Sequence, residues 1–280
     1  MKLQYKNLKN KYIHYFEDQE KCDFILTDVL FSFKEILPFI DNPKNLKILE
    51  IGCGTGILLR ELSQMFPKKQ FVGLDPHESG FHNYEKITKK IILNNNLLIN
   101  NSSFDEFNQN QSFDIIFSFN VFEHVQDQEN YLDITNKLLS TDGQNLIMCP
   151  NYDFPYEPHF IIPILFNKKI TYFFFKNKIN KKEKTSKEIG LWDALNLNGR
   201  NKISKFLKKN KFVFEYDISI KDRFFDRLTN DDSNYFKKRQ GIMGKIALLG
   251  KFLFLDKLLF NLLKLPFPYI KLIINKNQKQ

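Results

Sequence analysis

Hydrophobic residues along this chain follow two rhythms. Short, nearly continuous apolar runs near 47–51, 70–75, 97–100, 113–119 and 144–149 read as strands buried on both faces. Between them, apolar residues recur at three- and four-residue intervals over 57–62 and 128–139, which predicts helices. Asp142-Gly143 follows the second as a C-cap and turn. The rhythm returns in a helix over 203–210 that feeds Phe212–Tyr216, an alternating stretch suited to a late edge strand. Upstream, Phe24-Ile25-Leu26 and Val29-Leu30-Phe31 fall at helical spacing and run out near Pro38 and Pro43. Downstream, Ala247, Leu248, Phe252, Phe254, Leu255, Leu258, Leu259, Leu262 and Leu265 share one broad face of a helical wheel, with Lys251 intruding. The lysine-rich run 176–184 reads as a solvated loop.

Three parts follow: an N-terminal helical extension over 1–45, an α/β domain over 46–220, and a helical, apolar and basic tail over 221–280. Strictly alternating strands and helices require a parallel sheet. Within the domain, 151–198 interrupts the alternation. It is an insertion after the fifth strand, at the carboxyl edge where open α/β sheets bind ligands.

The most specific stretch is Ile48-Leu49-Glu50-Ile51-Gly52-Cys53-Gly54-Thr55-Gly56, a strand turned into a helix by three glycines at alternate positions. Such a turn visits dihedrals that a Cβ forbids and lets backbone approach a ligand. A dinucleotide fingerprint would need its third glycine at position 57, which is isoleucine. With Glu50 before the turn, the segment resembles motif I of the class I S-adenosylmethionine-dependent methyltransferases. Phe71-Val72-Gly73-Leu74-Asp75 is a second strand ending in an acid, 23 residues after Gly52. Nucleotide-binding βαβ units place a ribose-binding carboxylate at about 20. Leu97–Phe104 and Phe113–Val125, the latter ending in Glu123-His124-Val125, complete four landmarks in the order that family shows.

The resemblance implies a Rossmann-like, seven-stranded, mostly parallel sheet of order 3-2-1-4-5-7-6 with helices on both faces. It also implies S-adenosylmethionine as cofactor, held by Glu50, Gly52, Cys53, Gly54, Gly56, Asp75, Pro76, Ser102, Ser103, Phe104 and Asn120. The family's usual adenine-contacting Asp is absent from the third loop, so Ser102 or Ser103 stands in for it.

Charge changes this picture little. The net charge is +10, yet only Arg60, Arg200, Arg223, Arg227 and Arg239 are arginine, the residue that bidentate phosphate and base contacts favour. The nucleic-acid amino-methyltransferase motif after the fourth strand is replaced by Phe119-Asn120-Val121-Phe122. No nucleic-acid partner is expected. Cys22, Cys53 and Cys149 form no C-x-x-C pair, so neither a disulfide framework nor a zinc site is indicated, and the expected metal ligands are none. No secretory leader or run of about 18 apolar residues stands out, which suits a cytoplasmic protein. The tail packs on its own domain, joins two copies, or lies on the inner membrane surface.

Methyl transfer from a sulfonium expels a neutral thioether and needs no acid. A base is needed only when the acceptor must lose a proton. His124 and His159 are the candidates, one after the fourth strand and one after the fifth. Glu123 and Asp153 are weaker, since exposed carboxylates are poor bases at neutral pH. Asn151, Tyr152 and Tyr156 in the proline-stiffened loop are the expected substrate contacts. The "PN" at 150–151 with a histidine further on resembles methyltransferases of cell-surface glycan and lipid biosynthesis. The expected activity is methylation of a small-molecule, saccharide or lipid-linked acceptor, most simply at oxygen. A quinone- or phenol-type O- or C-methyltransferase and a non-catalytic interaction protein on the same fold stand as alternatives.

Overall fold

The computed structural model describes residues 2–77, 82–91, 95–107, 110–186, 188–231, 233, 235–253 and 255–276. In chain order the elements open with α1 (Tyr5–Tyr12), α2 (Gln19–Ile40), β1 (Lys47–Ile51), α3 (Ile57–Met65), β2 (Gln70–Leu74), α4 (His82–Ile91) and β3 (Leu97–Asn100). There follow β4 (Phe113–Phe119), α5 (Gln128–Leu138), β5 (Leu139–Pro150), β6 (Tyr156–Glu157), β7 (Ile162–Pro163) and α6 (Lys168–Ser186). The chain closes with α7 (Leu191–Ala194), α8 (Arg200–Lys209), β8 (Val213–Tyr216), α9 (Ile220–Asn230), α10 (Tyr235–Phe252) and β9 (Tyr269–Asn275).

Two compact units result. One combines residues 1–43 with 218–266; the other combines 44–217 with 267–280. In the helical unit α2 packs with α1 and α10, and α9 packs with α10. Glu35, almost wholly buried on α2, is paired with Arg223 Nε of α9 at 2.6 Å.

The larger unit is a seven-stranded sheet of order β3-β2-β1-β4-β5-β9-β8. Strands β6 and β7 form a separate two-stranded hairpin. Counting only the main sheet, its sixth strand in sequence lies at the edge and its seventh inside it, the order 3-2-1-4-5-7-6 of the class I fold. The first five strands pair in parallel and β9 runs antiparallel to both β5 and β8. Tyr131, Leu132 and Leu138 of α5 and Ile203 and Leu207 of α8 are buried with the sheet residues Ile116, Ile147 and Leu272 in one core. All three cysteines are free and buried.

Three local readings of the pattern need correction. The tail is helical only through residue 262, where a π-helical turn over Lys257–Leu262 ends; Tyr269–Asn275 then returns to the sheet as β9, its central residues buried. Asp142-Gly143 caps no helix, because β5 begins at Leu139 and the register jumps from Phe113↔Leu139 to Ile115↔Gln144. The intervening residues form a bulge. The lysine-rich run is the second half of α6: Thr171, Phe175 and Ile179 repeat at helical spacing and turn inward, and Ile179 is fully buried beside Phe160, Leu191 and Trp192. Of the expected tail face, Phe254 lies outside the described residues, whereas Phe252, Leu258 and Leu262 are exposed. Among the described residues no helix is long and apolar enough to cross a membrane.

Candidate active site

The glycine turn is built by the sheet beneath it. Gly52 N and Cys53 N both donate to Leu74 O at the end of β2, at 2.7 and 3.1 Å. Gly52, Gly54 and Gly56 all have positive φ, at 74, 54 and 71°. At Gly52 the demand is double, since a Cβ there would also overlap the Val121 side chain just past β4. That close approach brings the end of β4 against the turn. Cys53 points its thiol down against Gly73 of β2.

Asp75, directly after β2, closes the loop. Its Oδ2 accepts from Gly54 N at 2.7 Å and its Oδ1 from His77 N at 2.8 Å. Each oxygen retains a further acceptor position. Glu50 is buried below, and its Oε2 has no hydrogen-bond partner. Burial first, and then the charge of Asp75, push the Glu50 carboxyl well above its ordinary range.

Sequence reasoning makes His77 at most an edge contact beside the ribose site, and the structure gives it a larger role. Its ring is buried, Nε2–H donates to Gly54 O at 3.0 Å, and Nδ1 lies 2.8 Å from the Asn101 side chain. It thus joins the glycine turn to the loops after β2 and β3. Pro76 is exposed, and Ser102 and Ser103 are half-buried in the β3 loop. Phe104 sets its ring edge-on to Tyr131, with centroids 5.0 Å apart. Asn120 is exposed at positive φ, and its Oδ1 accepts from Tyr269 of β9 at 2.6 Å.

Beyond β4 the chain turns sharply: His124 N donates to Val121 O at 2.8 Å. Asn196, at the end of the insertion, pins that turn by donating from Nδ2 to Phe122 O and Val125 O, both at 2.9 Å. The β6–β7 hairpin carries Glu157 and His159. Glu157 is fully buried, and its Oε2 accepts from Phe160 N at 2.7 Å. Its Oε1 lies 2.6 Å from His159 Nδ1, and Tyr152 OH donates to the same oxygen at 3.3 Å. Burial acts to raise the Glu157 carboxyl, but the His159 charge, its hydrogen bond and two backbone N–H groups outweigh it and leave the group below its usual value. Glu157 therefore stays ionised and accepts from Nδ1–H of His159, which orients the ring and turns Nε2 toward Glu123.

That nitrogen lies 3.9 Å from Glu123 Oε1, and the His124 and His159 rings meet edge-to-face with centroids 5.3 Å apart. Glu123 is 1% exposed. Burial pushes its carboxyl up to about 7, against the pull of His159 and its own backbone. Burial, and then His159, push His124 down to about 3, so its imidazole is neutral.

The structure thus brings His124 and His159 together with Glu123, Glu157 and Tyr152. Asn151 is engaged elsewhere: Nδ2 donates to Phe267 O, and Oδ1 accepts from Asp153 N and Arg200 N. Asp153 caps α8 by accepting from Asn201 N at 2.8 Å, and a Cβ on Gly199 would overlap its carboxylate. Tyr156 is half-buried in β6, paired with Pro163 of β7.

Comparison with known proteins adds the following. A family described as a methyltransferase domain matches residues 17–197. An uncharacterised protein of Mycobacterium tuberculosis is 26% identical over 170 residues, 60% of this chain and 57% of its own length. The ubiquinone biosynthesis O-methyltransferase of Bartonella tribocorum is 32% identical over 119 residues, 41% of this chain and 44% of that protein. The chain thus spans about half the length of these curated relatives. Phosphoethanolamine N-methyltransferase 2 of Haemonchus contortus, solved with phosphomonomethylethanolamine and S-adenosylhomocysteine, superposes with a TM-score of 0.53 at 15% identity. That superposition covers 88% of this chain and 52% of the other, and it speaks to the fold alone.

Proposed function

The chain belongs to the methyltransferase domain family, and on that premise we propose that it methylates a hydroxyl oxygen of a small-molecule or saccharide acceptor. The observation that carries this reading is the polar cluster of Glu123, His124, Glu157 and His159 at the carboxyl edge of the sheet, two residues beyond the Val121 that packs on the glycine turn. Transfer to an amine that is already neutral would need no such proton-handling group.

S-adenosylmethionine supplies the activated methyl group when bound, and the residues present fit it. Asp75 would hold the ribose hydroxyls and Glu50 the cationic end, which answers the unpartnered Glu50 Oε2. The glycine turn admits the cofactor's backbone-close approach. At the acceptor end, Glu157 orients His159, and the cluster assists loss of the hydroxyl proton as the oxygen–carbon bond forms. The insertion, with its own small core around Phe160, Ile179 and Trp192, holds that cluster in place and keeps water out.

Calorimetric titration with S-adenosylmethionine, followed by a screen of hydroxylated acceptors with labelled cofactor, tests the reading. No binding at millimolar cofactor sinks it and favours a non-catalytic interaction protein. Transfer confined to amines or to carbon sinks the oxygen assignment. A second reading, a lipid-linked or amphiphilic acceptor, is favoured by Phe166, Phe173 and Phe174, which stand 97%, 70% and 65% exposed on and beside α6 among its lysines.

A further inference from the structure

Both carboxylate oxygens of Glu123 are buried without a hydrogen-bond partner, and so is Nδ1 of His124. A buried carboxylate normally keeps its place by accepting several hydrogen bonds or by binding a cation. Among the described residues the Glu123 carboxylate accepts no hydrogen bond, and the nearest cationic group is His159 Nε2 at 3.9 Å from Oε1.

The three donors converge. One ligand atom each from Glu123, His124 and His159 lies within 4.8 Å of the others, and Glu123 Oε1 is 3.9 Å from His159 Nε2. Ligand atoms about 2.1 Å from a common ion stand roughly 3 to 4 Å apart, so small side-chain adjustments close this set. The surroundings have the matching form. His159 gives its other ring nitrogen to the buried Glu157 at 2.6 Å, the carboxylate–imidazole arrangement that orients histidines on metal ions. Glu157 is in turn held by Tyr152 OH and Phe160 N.

We propose that Glu123, His124 and His159 together bind one divalent transition-metal ion, which holds the acceptor oxygen. Two imidazoles and one carboxylate suit zinc, manganese, iron or cobalt better than magnesium, which prefers an all-oxygen shell. The carboxylates of Glu123 and Glu157 are the groups whose negative charge a dication would balance. Three protein ligands leave open positions for an acceptor hydroxyl. The bound hydroxyl loses its proton to solvent, and its oxygen takes the methyl carbon as the carbon–sulfur bond breaks. A neutral thioether leaves, and no electron is gained or lost overall. This departs from the expectation, drawn from cysteine spacing, of no metal ligands. The set escapes sequence reading because His159 comes from a hairpin distant in sequence.

The inference rests on the oxygen-transfer reading, and one experiment separates the two. The full chain, stripped with a chelator, is titrated with Zn²⁺ by calorimetry and with Co²⁺ by visible absorption, beside Glu123→Gln, His159→Gln and the control His14→Gln. One equivalent is expected to bind the wild type and His14→Gln, with a tetrahedral or five-coordinate Co²⁺ spectrum. Affinity should fall about tenfold or more in the two cluster variants. S-adenosylmethionine titrations on each variant report that the fold survives. Equal metal binding by Glu123→Gln and wild type, or no saturable binding by wild type, overturns the metal site. So does undiminished transfer to a hydroxyl acceptor by the stripped protein, which leaves the oxygen-transfer reading standing. Failure to bind S-adenosylmethionine with or without metal overturns that reading instead.

Discussion

His159 Nδ1 and Glu157 Oε1 lie 2.6 Å apart, and the carboxylate of that pair is completely buried. Two residues apart on a hairpin, they set which nitrogen of His159 is presented to Glu123 and His124. Glu157→Gln replaces an acceptor-only group by an amide that can face either way. It is expected to lower transfer about 10- to 100-fold, the usual effect of losing an orienting carboxylate, and to leave cofactor affinity unchanged. Steady-state kinetics beside a cofactor titration checks this, and an unaltered rate removes the positioning role.

Asp75→Ala deletes the acceptor that serves Gly54 N and His77 N and that would hold the ribose. Cofactor affinity should fall at least about tenfold, the equivalent of one charged hydrogen-bond pair. Unchanged affinity in calorimetry would place the ribose elsewhere.

Gly52→Ala forces a Cβ into a left-handed position already filled by Val121. The cost should be about 1 to 3 kcal/mol in urea unfolding. Val121→Ala added to it should recover part of that loss, giving a measurable coupling energy. Strictly additive effects would show that the two side chains do not share the space.

Asp153→Ala removes a cap from α8 while leaving the His–Glu cluster intact. About 1 kcal/mol of stability should go, with transfer at wild-type rate. Normal stability with lost turnover would return Asp153 to the list of bases.

Phe173→Ser with Phe174→Ser exchanges two exposed rings for polar groups. Thermal stability should not drop. If the acceptor is lipid-linked, turnover on vesicle-borne acceptors should fall while turnover on a short-chain soluble analogue holds. Equal loss on both disposes of the lipid reading.

The parallel half of the sheet was legible because its period is local. Ile48–Ile51, Phe71–Leu74 and Phe113–Phe119 are apolar runs between helical repeats, and Gly52, Gly54 and Gly56 admit few alternatives to a tight turn. Tyr269–Asn275 was not legible as a strand. A short apolar run at the end of a helical tail has no period that separates strand from helix, and only pairing with Gln144–Pro150 and Val213–Tyr216 decides it. Asp153 and Asn151 look like site residues because they follow a strand at the ligand edge, yet backbone groups of α8 and of residues 267–268 take up their polar atoms.

By itself, then, the sequence determined the strand, glycine turn and acidic strand end, which lie within a few dozen residues, and their resemblance to a known family's motifs is what pointed to the cofactor. The acceptor half was decided by tertiary structure. Glu123, His124, Glu157 and His159 come from two loops that meet only once β4 and β5 are paired and the insertion has folded back through Asn196. Their charge states follow from burial and from one another, and neither exists until the chain has closed around them.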